Sequence, residues 1–217
     1  MYYVLLNDTT QKSTPSFISG IYDINPSYKQ EKAPRVSKYT FPYDFQRKEE
    51  LKDIDTLYLN FYEKFPKYFL DTDYRIDHGH IFSLRFFELL KNFSGSEYLK
   101  KGLIITKKGE LLETPFIYLD FTQKPPFDFI DIDNSQVLKH KEYGDIFPTK
   151  IVLDKKVENY DIFPFGNTDI GRFLVVNEKL KEAIEKEKLR GFKLIPLKQF
   201  PKTFASEYNF DLKEYRE

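Results

Sequence analysis

The apolar residues of this 217-residue chain come in runs of only a few residues, so the fold has to be built from short elements. No run approaches the roughly 20 apolar residues that a membrane-spanning helix needs. The apolar stretch Met1–Leu6 has no basic segment in front of it, which argues against a secretory signal and predicts a strand instead. We therefore expect a protein that stays in the cytoplasm and does not enter a membrane.

The lack of cysteine removes whole classes of chemistry. Disulfides, thiolate metal sites and cysteine nucleophiles are excluded, and a reducing compartment fits the chain. Lysine and arginine together number 34, and so do aspartate and glutamate. The chain therefore has no overall excess of positive charge of the kind that phosphate binding usually requires, and a nucleic-acid partner is not expected.

Aromatic residues are abundant, with 22 Phe and 16 Tyr but no Trp. One interpretation is a general compositional bias. The other is an aromatic-rich interaction surface, because Phe and Tyr anchor many protein interfaces. The sequence leaves both interpretations open.

A first amphipathic helix is predicted over about residues 83–93. Ser83 is a good N-terminal cap, and the apolar residues that follow recur at helical spacing. Such a stripe could line a ligand groove, but core packing is its usual role. The stripe consists of Phe86, Phe87, Leu90 and Phe93.

A second helix is predicted over about residues 178–188. Asn177 caps it, Gly191 follows it as a C-terminal stop, and the strands Phe173–Val176 and Phe192–Pro196 flank it. With proline interrupting residues 7–50, the remaining elements are short strands and loops.

The predicted fold class is α+β, with mixed, mostly antiparallel sheets and these two main helices. A single domain over residues 1–217 is expected. An alternative is a division into two lobes, an N-terminal strand- and loop-rich lobe with a helix over 1–100 and a C-terminal lobe over 101–217.

Three histidines are present, and two of them form the best metal-binding candidate. His78 and His80 are two residues apart, so on a strand both rings would face the same side, and Asp71 or Asp73 could add oxygen ligands. The alternative is a polar loop that leads into the first helix. No second cluster with a characteristic spacing accompanies the pair, so we predict no metal and no cofactor.

A restriction-nuclease-like arrangement is a second candidate. Metal-dependent phosphodiester cleavage needs carboxylates to hold the ion and a lysine to steady the attacking water. Asp154 and Lys156 supply an Asp-x-Lys pair after a predicted strand, with Asp131 or Asp133 upstream on another. The pattern is common by chance in a chain rich in both residue types, and Asp154 could simply begin a turn. Nucleophile elbows and phosphate-binding glycine-rich loops are absent from the sequence.

From residue 127 onward the sequence resembles the immunity-protein family of bacterial polymorphic toxin systems, first catalogued as a domain of unknown function. The resemblance covers about residues 127–197. It rests on an acidic segment, a strand ending in Asp, a short strand ending in Phe, a capped helix and a returning Gly-Phe strand. These segments are Phe129–Ser135, Lys150–Asp154, Tyr160–Phe163, Phe173–Ile184 and Leu189–Pro196.

The resemblance implies a non-catalytic protein that binds and neutralises a cognate toxin, protecting the producing cell. Such a protein needs an exposed surface complementary to its partner. We expect the contact residues in two loops, at Tyr39, Phe41, Tyr43 and Phe45 and at Lys124 and Phe127. Two other hypotheses remain open: a metal-dependent nuclease or hydrolase that uses Asp131, Asp133, Asp154 and Lys156, and an adaptor module without a toxin partner.

Overall fold

The structure is a computed structural model that describes residues 1–8, 21–23, 56–61, 74–76, 79–95, 99–107, 110–120, 129–142, 146–165, 170, 173–207 and 212–216. Its strands are β1 (Tyr2–Asn7), β2 (Ile21–Asp23), β3 (Thr56–Phe61), β4 (Tyr74–Ile76), β5 (Gly79–Ser83), β6 (Leu99–Lys107), β7 (Glu110–Asp120), β8 (Gln136–His140), β9 (Ile146–Lys150), β10 (Ile162–Pro164), β11 (Leu174–Asn177), β12 (Phe192–Pro196) and β13 (Tyr215–Arg216). The α-helices are α1 (Leu84–Leu90), α2 (Glu178–Lys186) and α3 (Phe200–Glu207), and two 3-10 helices span Lys155–Asn159 and Leu212–Glu214.

The strands form three sheets, which confirms the prediction of an α+β fold with mixed, mostly antiparallel sheets. The orders are β10-β11-β1-β12, β13-β8-β9 and β2-β3-β6-β7-β5-β4. Every neighbouring pair is antiparallel except β3 and β6, which run parallel.

Strand β1 lies in the interior of the four-stranded sheet, between β11 and β12. Tyr3 is opposite Val176 on one side and Pro196 on the other. The boundary between the two suggested lobes, at residues 100 and 101, falls within β6. Whether the chain is one domain or two lobes stays a prediction.

Both faces of β1 are buried, because successive side chains of a strand point to opposite sides. Tyr3 and Leu5 belong to one apolar cluster, which we call core A, and Val4 and Leu6 belong to another, core B. The four-stranded sheet is therefore a central layer between two cores.

Core A lies between the central sheet, the strands β5 and β7 of the six-stranded sheet, and the helices α1 and α2. The apolar stripes from which the two helices were predicted are the faces that α1 and α2 turn toward core A. Its buried members are Tyr3, Leu5, Phe82, Phe86, Phe87, Leu90, Ile117, Leu119, Ile162, Leu174, Val176, Leu180, Ile184, Leu189 and Phe192.

Core B fills the other face of the central sheet, against α3 and the three-stranded sheet, and it is rich in phenylalanine. Phe173 packs edge-on against Phe200, with ring centroids 5.0 Å apart, and against Phe204 at 5.2 Å. No aromatic residue is exposed among the side chains that the structure describes, where Met1, Leu84 and Leu212 are the exposed large apolar ones. In these regions the aromatic residues form the interior, which agrees with the interpretation of a compositional bias and not with that of an exposed aromatic surface.

The predicted helix caps are confirmed. The Ser83 hydroxyl accepts a hydrogen bond from the backbone N–H of Phe86 at 3.1 Å, and Asn177 Oδ1 accepts one from Leu180 at 3.0 Å. Helix α1 ends at Leu90, three residues before the predicted end, and α2 ends at Lys186 rather than 188. Helix α3 was not predicted, although Phe200 and Phe204 have the spacing of one helical face.

The prediction that Gly191 stops the second helix is wrong. The helix is closed three residues earlier by Lys188, which has a φ of 53°. The N–H of Lys188 donates to Glu185 and that of Leu189 donates to Ile184, which is the Schellman pattern of hydrogen bonds. Gly191, with a φ of 103°, instead lies in the following turn, where its carbonyl accepts a hydrogen bond from the N–H of Asp8.

Leu5→Ala should lower the free energy of unfolding by about 2–5 kcal/mol, because the substitution leaves a cavity in core A. Leu5 is 1% exposed, whereas Leu84 is 38% exposed, so Leu84→Ala is a matched control with an expected change within about 0.5 kcal/mol. Urea unfolding followed by circular dichroism measures both changes. Equal losses in the two variants would contradict the burial of Leu5 in core A.

Lys188→Gly should raise the free energy of unfolding by roughly 0.5–1 kcal/mol, because glycine adopts a positive φ without a steric penalty. Lys186→Gly, in the last turn of α2, is the matched control, and it should lower the same quantity by up to about 1 kcal/mol. Thermal unfolding of the two variants and of the wild type measures both changes in the free energy of unfolding. A loss of stability in both would show that Lys188 is not the residue that closes α2.

Candidate functional site

Asp161 is a buried carboxylate with several hydrogen bonds. It lies just before β10, where its Oδ2 atom accepts hydrogen bonds from the backbone N–H of Ser94 at 2.8 Å and from the Ser94 hydroxyl at 3.0 Å. Its Oδ1 atom accepts one from the side-chain amide of Asn177 at 2.6 Å. Both carboxylate oxygens are therefore satisfied by groups from other parts of the chain.

Backbone contacts tighten the same junction. The N–H of Asp161 donates to the carbonyl of Ser94 at 2.6 Å, and the N–H of Asn177 donates to the carbonyl of Asp161 at 3.0 Å. Because Asn177 also caps α2, the carboxylate connects the chain after α1 to the start of α2. We call Ser94, Asp161 and Asn177 the Asp161 clamp.

The clamp keeps Asp161 ionised. Burial alone would raise the pKa of this carboxyl, but the hydrogen bonds from the backbone of Ser94, the amide of Asn177 and the hydroxyl of Ser94 outweigh it. The ammonium of Lys179, 3.6 Å from Oδ2, acts in the same direction. The pKa therefore lies below its ordinary value, which suits a structural anion rather than a proton carrier.

Contacts between their ends show that helices α1 and α2 run in opposite directions. The clamp joins the end of α1 to the start of α2, and at the other end the Arg85 guanidinium reaches the backbone carbonyl of Glu187 and lies 3.7 Å from its carboxylate. Both of these side chains are about half exposed. These two charges on the outer surface of the helix pair are therefore already paired with each other.

A second group of paired charges lies where α2 crosses β1. The Tyr3 hydroxyl donates to Glu178 at 3.0 Å, and Lys181 lies 3.0 Å from Glu185 and 5.3 Å from the centre of the Tyr3 ring. Burial and the hydrogen bond to Glu178 raise the pKa of Tyr3, and the hydrogen bond to Glu185 raises the pKa of Lys181. These contacts hold α2 on the sheet, and among the described residues the same side chains form no catalytic arrangement.

The residues suggested for a nuclease site serve local structure. Asp131 accepts hydrogen bonds from the backbone and side-chain nitrogens of Asn134, at 3.1 and 2.7 Å. Asp154 caps the 3-10 helix Lys155–Asn159 by accepting a hydrogen bond from the N–H of Lys156 at 2.9 Å. Asp133 is exposed. The Lys156 ammonium lies 3.6 Å from its neighbour Asp154, so the Asp-x-Lys pair forms a local turn.

The histidine pair is only partly described. His80 lies on β5, is 1% exposed and stacks on Phe82 with ring centroids 6.0 Å apart. His78 lies outside the described residues, as do Asp71 and Asp73. Across the described ranges, no three acidic or histidine side chains are grouped as a metal ion would require.

The predicted partner-contact residues also lie outside the described residues. They are Tyr39, Phe41, Tyr43, Phe45, Lys124 and Phe127. Their assignment therefore stays a prediction. The Asp161 clamp, in contrast, was not predicted, because Ser94 and Asp161 are 67 residues apart and no local pattern connects them.

None of the helices in the described residues combines the length and the apolar character that crossing a bilayer requires. Comparison with known proteins gives one clear result: the family model described as immunity protein 43 matches residues 22–212. The match confirms the resemblance seen over residues 127–197 and extends it across most of the chain. A comparison with curated proteins found no significant match.

Asp161→Asn should lower the free energy of unfolding by about 1–3 kcal/mol at pH 7, because an amide places a donor against the donors of Ser94 or Asn177. A carboxyl whose pKa is lowered in the folded state stabilises above its ordinary pKa of 3.8 and loses that contribution as the pH falls further. The gap between wild type and variant should therefore narrow near pH 3. Urea unfolding at the two pH values tests this, with the exposed Asp133→Asn as the control. A gap that stays constant with pH would contradict the clamp.

Proposed function

The chain belongs to the immunity protein 43 family, and from this membership we propose that it binds a cognate bacterial toxin and neutralises it. The family match over residues 22–212 is the observation that carries the proposal. Neutralisation would protect the producing cell, and kin that carry the same gene, from a toxin used in competition between bacteria.

In this proposal the protein acts by binding and has no turnover of its own. Two carboxylates suggested by the sequence support it, because Asp131 and Asp154 serve as turn and helix caps. The buried Asp161, which the sequence did not suggest, is likewise held by the clamp. A metal-dependent nuclease would instead need carboxylates free to hold an ion. No described contact favours that alternative.

The partner is the toxin domain, and the place of action is the cytoplasm of the producing cell, where the toxin would otherwise act. A binding protein of this kind needs affinity high enough to keep the toxin occupied at its working concentration. Complementary charge speeds such an association as well as strengthening it.

Co-expression provides the test. A tagged chain is used to capture its partner from the native cell, and the C-terminal domain of the captured multidomain protein is then expressed in a sensitive host, with and without the chain. Growth should stop without the chain and be restored with it, and the two purified proteins should form a stoichiometric complex in gel filtration. A domain that remains toxic despite a folded, expressed partner would contradict the proposal.

Two variants separate binding from catalysis. Lys156→Ala should protect the host as well as the wild type does, because the Lys156 ammonium pairs only with its neighbour Asp154 among the described residues. Excess EDTA should likewise leave the purified complex intact. Loss of protection in Lys156→Ala, together with metal-dependent cleavage of nucleic acid by the wild-type chain, would support the nuclease hypothesis instead.

A further inference from the structure

Two cations lie directly opposite each other on neighbouring strands. Arg216 of β13 pairs in register with Lys139 of β8, and the two strands are antiparallel. Directly opposed residues have Cβ atoms about 4.5–5.5 Å apart and point to the same face of a sheet. The lysine ammonium and the arginine guanidinium therefore project from the same spot.

This arrangement costs stability instead of adding to it. Like charges at directly opposed positions destabilise a strand pair. Lys139 and Arg216 are both exposed, and neither forms an ion pair with a carboxylate within the described part of the chain. Several charges on α1 and α2 differ in this respect, because Arg85 pairs with Glu187, Lys91 with Glu88 and Lys181 with Glu185.

The two cations face away from the interior. His140 and Tyr215, the next residues in register, pack edge to face with ring centroids 5.0 Å apart, and Tyr215 contacts Phe147 of core B. Because side chains alternate along a strand, Lys139 and Arg216 occupy the opposite face of the three-stranded sheet.

The carboxylate of Glu214 lies near His140 of β8. Glu214, which precedes β13, lies 3.7 Å from His140 Nε2. Lys141 adds a third positive charge close by, with its ammonium bound to the carbonyl of Lys213. Among the described residues of β8 and β13, the outer face therefore keeps a local positive charge on a chain whose net charge is zero.

Apolar side chains share this face with the cations. Val137, two residues before Lys139, and Ile146, opposite Lys139 on β9, are half-buried and belong to neither core A nor core B. Interfaces combine such an apolar floor with a charged rim. We call Val137, Lys139, Ile146 and Arg216 the dication face.

We propose that the dication face is the surface on which the cognate toxin docks, through an acidic segment of the toxin. The proposal rests on the proposed function and specifies its contact surface. A toxin carboxylate placed between Lys139 and Arg216 would form ion pairs with both cations and remove their repulsion. Binding would therefore relieve an electrostatic destabilisation that is present in the free protein. A protein partner is favoured over nucleic acid because two or three cations on a neutral chain are few for phosphate binding, whereas apolar contact beside them suits a protein surface.

The test measures how tightly the toxin domain identified by co-expression binds to a variant in which the charge of both cations is reversed. Lys139→Glu with Arg216→Glu should weaken binding of that purified domain at least about tenfold, chiefly through slower association, and should flatten its dependence on salt. The melting temperature of the free variant should not fall, because the substitutions remove no internal contact among the described residues. Lys198→Glu with Lys202→Glu, a pair of exposed lysines elsewhere, is the matched control and should bind like the wild type.

The outcomes separate this proposal from the proposed function. Wild-type rescue combined with weakened binding only in the Lys139/Arg216 variant supports the dication face. Wild-type rescue with equal binding by both variants overturns the dication face while leaving immunity intact. Retention of a labelled single-stranded oligonucleotide by the wild type but not by the Lys139/Arg216 variant, with toxin binding unchanged, would assign the cations to nucleic acid and also overturn the proposal.

Discussion

The fold depends on a single strand that has no solvent-facing side. Because β1 lies between β11 and β12, its alternating side chains reach core A and core B, and the central sheet becomes the layer that both cores share. A strand in that position has to be apolar on both faces, and the buried residues Tyr3, Val4, Leu5 and Leu6 meet this requirement, where most strands of an antiparallel sheet would alternate with polar residues. The helices, the aromatic core and the three-stranded sheet are all packed, directly or through one layer, against this strand.

The Asp161 clamp adds directional polar contacts to the apolar packing around that strand. Apolar packing brings α1 and α2 onto core A but does not fix how the end of one meets the start of the other, because hydrophobic attraction has no direction. Two carboxylate oxygens that accept hydrogen bonds from Ser94 and Asn177 supply that direction. The ionised form is the better acceptor, so the lowered pKa of Asp161 and the orientation of the helices have the same physical origin.

The sequence predicted the elements that depend on neighbouring residues. Ser83 and Asn177 were recognisable as caps because a cap acts over three residues, and both apolar stripes because helical spacing is local. The stop at Lys188 was missed because a lysine seldom adopts a positive φ, so Gly191 was the expected choice. Neither the clamp nor the pairing of Lys139 with Arg216 could be predicted, since each depends on a register between segments far apart in the chain.

Two sets of exposed charges in the described part of the chain differ in how they are paired. On the helix pair, Arg85 faces Glu187 and Lys181 faces Glu185, so each charge is compensated within the fold. On the three-stranded sheet, Lys139 and Arg216 face each other. Compensated charges have little to gain from a partner, because binding must first break or share their existing contacts. Lys139 and Arg216 have no such ion pair to break among the described residues, so for the proposed binding function they are better placed than the paired charges to gain from an incoming carboxylate.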